Sequence, residues 1–365
     1  MTRVTHETLP QKAELERPAG QMTAAVLHGS EDLRVEQVDI PAIGPDEVLV
    51  RVRVALTDGT DLKVWKRGYH ARMITPPAVF GHELVGEIVA VGPKVSSQWQ
   101  AGLRVLPANS APCRECYYCH RGQENLCEDL LFNNGAYAEY MRIPGRIVRE
   151  NLLEIPGHVT DLDAAMAEPL ACVLRGVHEV GVRPGDTVVV IGCGPIGLKF
   201  IRILSNRGTR VLALGKRAGQ LDAARRMGAH VALNVTGLPD TVRAVRELTD
   251  GRRGADCVIE AAGNTTTWQW ALEMVRRGGT LNLFSGLPED ARIEVCPAAI
   301  HYAEVTIKST FHHTPRFIRE ALETIARGDV SARDFVTGEI TLSELPRAFK
   351  QMKARSREIK FAVRP

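Results

Sequence analysis

The stretch "DTVVVIGCGPIGLKFIRILSNRG", residues 186–208, constrains the fold of this chain more than any other. An apolar run of strand length meets glycines at 192, 194 and 197, and an amphipathic segment follows at once. In that context Gly192 permits a tight turn and Gly194 lets the backbone approach a pyrophosphate, while Gly197 allows close helix–strand packing. Pro195 and Ile196 complete the turn. A lone glycine triplet also fits a turn that merely packs; the strand–turn–helix–strand setting favours dinucleotide binding. The rhythm continues through "RVLALGKRAGQLDAARRMGA", "DCVIEAAG" and "GGTLNLFSG". Buried strands alternating with amphipathic helices predict an α/β, doubly wound parallel sheet over residues 173–310.

Cofactor choice is read where the second strand ends. A site for NAD normally places an acidic residue there, about 20 residues on, to hold the ribose 2′-hydroxyl. Here the position is Gly215, followed by Lys216 and Arg217. With no carboxylate and two cations that can meet a 2′-phosphate, NADP is expected over NAD. The plainer alternative is that both cations are simply solvated.

The rest of the chain reads differently. At 365 residues it exceeds the roughly 250–300 at which single cores stop growing. From residue 22 to 172, strand-length runs such as "EVLVRVRVAL" and "VGEIVAVGPKV" lie between Pro and Gly turns, predicting a mostly antiparallel β domain. Residues 1–21 read as a polar arm with no secretory pattern. Residues 311–365 hold two helical segments and a final strand, expected to return to the first domain. No apolar run reaches the roughly 18–20 residues of a membrane span. A net charge of +3 without a basic, aromatic-laced stripe gives no reason to expect nucleic acid. A cytoplasmic protein is expected.

"CRECYYCHRGQENLC" sets Cys113, Cys116, Cys119 and Cys127 in a C-x2-C-x2-C-x7-C array inside a loop, 109–130. Cysteines this close make strained disulfides, whereas four thiolates can wrap one tetrahedral ion. A closed structural Zn²⁺ site is expected; an iron–sulfur cluster also takes four thiolates, and four free thiols remain the plainer alternative.

Three further segments stand out: "VALTDGTDLKVWKRG", "PPAVFGHELVGEIVAVG" and "MAEPLACVLRGVHEV". With the cysteine array, "GAYAEYMRIP" and the glycine fingerprint, in this order from Met22 to the carboxyl terminus, the chain resembles the zinc-dependent medium-chain dehydrogenase/reductase family. The nearest branches are those of sorbitol, threonine and glucose dehydrogenases. The resemblance implies a GroES-like β-rich catalytic domain and a Rossmann domain with the active site between them. It also implies oxidation of an alcohol, polyol or sugar by NAD(P)⁺ in a homodimer or homotetramer. Position by position, it places Asp58 where the family usually has a cysteine as first metal ligand. His82 falls on the second ligand, Glu168 on the acidic ligand of the polyol and sugar branches, and Glu83 on the glutamate beside the metal. Thr60 matches the hydroxyl that bonds the substrate alcohol. Lys63 stands where many members carry a proton-relay histidine.

The residue types agree, since an imidazole with two or three carboxylates is a metal-binding set. Each alone also has a plainer reading: Asp58 as a turn cap, His82 as a core histidine, Glu168 as a helix-start acid. His312 and His313, in "FHHTPRF", lie where members often line the cleft, or else on a surface loop. Two rival functions remain: a metal-free reductase of activated double bonds in the same superfamily, and a dinucleotide-binding protein without chemistry.

Overall fold

The computed structural model describes residues 18–70, 72–354 and 360–365. Most of the polar arm expected over residues 1–21 lies outside the described residues. Among them, two sheets dominate. The first is largely antiparallel and centres on Val48–Leu56, which pairs with Glu83–Val91, with Tyr140–Ile143 and with the terminal strand Phe361–Arg364. Gly338–Thr341 adds a parallel edge beside that terminal strand. The chain's last residues therefore share a sheet with residues 48–56.

The second sheet is wholly parallel. Its order is Val231–Asn234, Arg210–Gly215, Thr187–Ile191, Ala255–Glu260, Val275–Leu283, Thr306–Ser309. Strand order reverses between Thr187–Ile191 and Ala255–Glu260, and ligands of open α/β sheets bind beyond the carboxyl ends of strands at such a switch point. The chain thus joins a mostly antiparallel β unit to a parallel α/β sheet, the two-part architecture that the resemblance implies.

Register positions the chemistry. Leu56 lies opposite Glu83 in one ladder and opposite Ala362 in the other. Continuing both antiparallel ladders past Leu56 brings Thr57 and Asp58 level with His82 on one side and with Phe361 and Lys360 on the other. Reciprocal bonds between Thr57 and Phe361, each 3.0 Å, lock this junction. Asp58, readable from the sequence as a turn cap, instead precedes a helix: Gly59–Arg67 starts directly after it and ends at Gly68 in left-handed conformation (φ +90°).

Helix Ala167–Val180 joins the two halves. One apolar core runs from Val54, Leu56 and Val85 of the first sheet through Leu170, Val173 and Leu174 of this helix to Val188 and Val190 of the second. Its packing fixes the first turn, and with it Glu168, against the strand ends.

Candidate active site

Asp58 divides its carboxylate between two tasks. As the residue preceding helix Gly59–Arg67 it is extended (φ −141°, ψ 179°), and its Oδ1 accepts the Asp61 N–H at 2.7 Å. Its Oδ2 lies 4.0 Å from His82 Nε2. The cap and ligand readings of Asp58 are therefore compatible, because each uses a different oxygen. Asp61 returns the cap by accepting the Asp58 N–H at 3.3 Å. Its other oxygen, Oδ1, sits 2.9 Å from His82 Nδ1. A carboxylate there makes Nδ1 the protonated nitrogen and turns the Nε2 lone pair toward Asp58.

Glu83 is fully buried and ion-paired with Lys360 Nζ at 2.5 Å, while its Oε1 has no hydrogen-bond partner among the described residues. Glu168, in the first turn of Ala167–Val180, accepts from Asn109 Nδ2 at 3.2 Å. Donor atoms of His82, Glu83 and Glu168 all lie within 4.8 Å of one another, as do those of Asp58, Asp61 and His82. One imidazole and three carboxylates thus gather from two strand ends and one helix start, with His82 common to both groups. An unpartnered buried carboxylate oxygen is costly without a cation or proton beside it, so this donor set fits a divalent ion.

The electrostatics point the same way. Burial raises Glu83 to about 8 despite Lys360, and burial likewise raises Glu168. Burial also opposes ionisation of Asp58, but His82, Lys360 and the cap N–H groups outweigh it and hold that carboxyl below its ordinary value. His82 is raised well above its ordinary value although burial opposes the charge, because Asp61 and Asp58 flank it. A bound dication reverses these preferences, favouring carboxylates and a neutral imidazole.

Thr60 sits half-buried in the first turn of the Gly59–Arg67 helix, beside this cluster. Lys63, one turn on, is exposed, and its charge reaches Glu260 at the end of a parallel-sheet strand. It is not in the carboxylate–histidine cluster. His312 and His313 are no surface loop. His313 Nε2 lies 2.8 Å from Asn109 Oδ1 and 3.6 Å from Glu168 Oε1, and His312 Nε2 is 2.6 Å from Ser110 Oγ. Burial holds His312 down to about 3 and His313 well below its ordinary value, so both are neutral imidazoles. Asp61, Asn109 and Lys360 were missed by sequence reasoning. The D-x-x-D spacing of a capping box was a usable signal for Asp61; Lys360 had none, because only the sheet register brings it to Glu83.

The glycine fingerprint is sterically required. A Cβ at Gly197 falls 1.8 Å from Gly192 O, and one at Gly192, whose φ is +105°, falls 2.9 Å from Ala261 O. A Cβ at Gly194 meets nothing within 4 Å, so that face is open to a ligand at the N-terminus of helix Pro195–Asn206. Gly215 is buried, while Lys216 and Arg217 are exposed beside it.

The four array cysteines bring their sulfurs within 4.8 Å of one another and form no disulfide. Backbone N–H groups of Glu115 and Cys116 donate to Cys113 Sγ, and that of Cys113 donates to Cys127 Sγ. Such donors favour thiolates, and backbone N–H groups of Glu128 and Cys119 lower Cys116 to about 6; burial works the other way at Cys119, which it raises, and at Cys127, which it pushes up to about 12, a preference that a bound dication reverses. Cys116→Ser is expected to lose one zinc ion per chain and lower thermal stability, read by metal analysis and calorimetry. Unchanged zinc content would show that the array binds no metal.

Two family models match the chain: the alcohol dehydrogenase GroES-like domain over residues 44–156 and the zinc-binding dehydrogenase domain over residues 195–327. Sorbitol dehydrogenase of Bacillus subtilis (strain 168) is 30% identical over 337 residues, covering 90% of this chain and 93% of that protein. D-xylulose reductase A of Aspergillus oryzae is 30% identical over 345 residues, covering 92% and 94%. Among solved structures, a protein of Sinorhizobium meliloti 1021, assigned as a zinc-binding dehydrogenase and bound to NADP, superposes with a TM-score of 0.87. It is 29% identical and covers 95% of this chain and 100% of its own. With both domains matched and relatives aligned end to end, the chain belongs to the zinc-type medium-chain dehydrogenase family and is an oxidoreductase.

Proposed function

We propose that this enzyme oxidises a secondary alcohol of a polyol or sugar, with Asp58, His82, Glu83 and Glu168 holding a catalytic divalent metal and NADP⁺ as the preferred oxidant. The observation that carries the reading is the buried His82 shared by two donor groups, with Glu83 and Glu168 in one and Asp58 in the other, its Oδ2 4.0 Å from His82 Nε2. The relatives named for sorbitol and xylulose support a polyhydroxy substrate. A metal held by these residues would supply Lewis acidity toward the substrate hydroxyl, and a bound nicotinamide would supply the hydride acceptor.

The chain's own residues do the remaining work. Thr60, on the same helix turn that Asp58 caps, would accept the hydroxyl proton while releasing its own to solvent water. His312 and His313, neutral donors and acceptors, line the Glu168 side and hold neighbouring hydroxyls of the substrate. Gly192, Gly194, Pro195, Ile196 and Gly197 seat the pyrophosphate against the helix N-terminus. Cys113, Cys116, Cys119 and Cys127 hold a structural zinc. The division into catalytic residues 22–172 with 311–365 and cofactor residues 173–310 belongs to the same reading.

A screen of polyols, sugars and cyclic secondary alcohols with both dinucleotides, joined to metal analysis, tests it. Turnover with two metal ions per chain supports the dehydrogenase. One ion per chain with reduction of activated double bonds supports the metal-free reductase instead.

Cofactor preference has its own test. With Gly215 in place of an acid and Lys216 and Arg217 beside it, kcat/KM is expected to favour NADP⁺ by about 10-fold or more, the value of a charge-assisted phosphate contact. Gly215→Asp with Lys216→Ala should shift preference toward NAD⁺. The Cβ that substitution adds meets Cys193 Sγ and Leu221 Cδ2 at 3.1 Å each, so Cys193→Ala is included to make room. Wild-type preference for NAD⁺ would defeat the assignment.

We also infer a cytoplasmic homo-oligomer. The reduced cysteines fit that compartment. The outer strand Thr306–Ser309 is largely exposed, next to Tyr302 and Val295, and presents an edge for a second copy. Sedimentation of the wild-type protein reads the assembly directly.

A further inference from the structure

Tyr137 is fully buried, yet its hydroxyl ends among polar groups at the back of the His82 site. It makes a short bond to Asp61 Oδ2 and lies 3.1 Å from Leu56 O. A phenol has one proton, and a carboxylate is a stronger acceptor than a peptide carbonyl. The proton therefore goes to Asp61. Burial raises the Tyr137 pKa well above its ordinary value, with Asp61 adding to the effect, so the phenol remains a donor.

The ring cannot turn away. Gly81 (φ +91°) has no side chain, and a Cβ there would fall 2.7–2.9 Å from the Tyr137 ring carbons. The ring thus lies flat against the backbone that leads into His82. Phe80 meets it edge-on at 5.8 Å between centroids, and Phe349 stands on another side at 6.4 Å. Backbone bonds from Ala136 N–H to Gly81 O and from Tyr137 N–H to Phe80 O, 3.1 and 2.9 Å, bind the two segments together.

Asp61 thereby has both oxygens assigned: Oδ1 to His82 Nδ1, and Oδ2 to the Tyr137 hydroxyl and the Asp58 N–H. Without the hydroxyl, Oδ2 keeps only the long cap bond of 3.3 Å, and the carboxylate is free to rotate about its Cβ–Cγ bond. We propose that Tyr137 is a positioning residue: its hydroxyl fixes the Asp61 carboxylate, and through it the ring orientation and tautomer of His82, so that Nε2 is presented to the catalytic metal. This rests on the metal site proposed above. Neither Tyr137 nor Asp61 touches the metal or the substrate in this scheme.

The test is Tyr137→Phe, which keeps the ring and its packing and removes one oxygen. Metal stoichiometry, catalytic-site zinc affinity by chelator competition, and the visible spectrum of the cobalt-substituted protein are measured beside thermal stability. Loss of an outer partner of a metal-bound histidine weakens metal by about 10–100-fold; Tyr137 acts one step further out, through Asp61, so a shift near the lower end, about 10-fold, is expected at the catalytic position only. The structural zinc should stay bound, which also reports that the variant is folded. The cobalt spectrum should change as the imidazole loses its fixed orientation. Two metal ions in wild type with unchanged affinity and spectrum in Tyr137→Phe would overturn the positioning role. Equal weakening at both metal positions would overturn it too, by showing a general loss of structure. Only one metal ion in wild type would instead sink the metal reading on which it rests.

Discussion

Asp58→Asn is expected to cost the enzyme its catalytic metal while leaving its helix intact. Asn caps helices as well as Asp does, so the bond from the Asp61 N–H survives the change. What disappears is the negative charge on the oxygen that faces His82 Nε2. Metal affinity at that position should fall by at least about 100-fold, the upper end of what loss of an outer partner costs, and turnover should fall with it. Asp58→Cys makes the converse exchange. It supplies a soft thiolate that favours zinc over manganese or magnesium, and it gives up the cap, since sulfur is a weak acceptor. That variant should keep zinc, lose about 1 kcal/mol of stability and narrow the range of ions that restore activity. Asp58→Ala loses both functions and should be inactive with dinucleotide binding and the structural zinc retained. Metal titration, kinetics and denaturant unfolding on the three variants separate the roles. Wild-type metal content and turnover in Asp58→Asn would leave Asp58 as a cap alone.

The pairing of a cap with a proposed ligand in one side chain shows why the sequence was legible only in part. The glycine fingerprint and the alternation around it dictate local geometry, so the parallel sheet was readable from the residues between 186 and 283. The cysteine array was readable for the same reason, because its ligands are neighbours in the chain. His82 and Glu83 were visible as residue types, and Asp58 only as a departure from a pattern. What brings them together is ladder register, Leu56 facing both Glu83 and Ala362, and register is a property of paired strands that no single strand reveals. Lys360 and Asn109 were invisible on that account. The helix after Asp58 was hidden differently: "GTDLKVWKR" is short and mostly polar, and its stability comes from the cap at one end, Gly68 at the other, and burial of Val64 and Trp65.

The two buried lysines should respond in opposite directions to the same substitution. Lys360 and Glu83 are both buried and 2.5 Å apart. Lys360→Met leaves the Glu83 carboxyl without its counter-ion, a change that costs about 3–5 kcal/mol when the remaining charge cannot escape. Protonation is its escape: Glu83 already stands at about 8, so the penalty should grow as pH rises. An acid whose folded pKa is raised contributes stability that is present below the unfolded value near 4.5 and lost as pH rises toward 8. Lys199 has no such partner. Among the described residues its Nζ has no hydrogen-bond partner and sits 4.5 Å from the centroid of the Phe335 ring, and burial lowers its pKa to about 7. For a base with a depressed folded pKa the penalty is complete at and below pH 7 and fades as pH rises toward 10.5. Lys199→Met removes an unpaired buried ammonium and keeps the volume, so it should stabilise the protein by about 1–4 kcal/mol near pH 7, and by less at pH 10. Denaturant unfolding of both variants at pH 6, 8 and 10 measures each effect. Destabilisation by Lys199→Met would show that its ammonium has a compensating partner, and an unaltered Lys360→Met would show that Glu83 is already protonated without it.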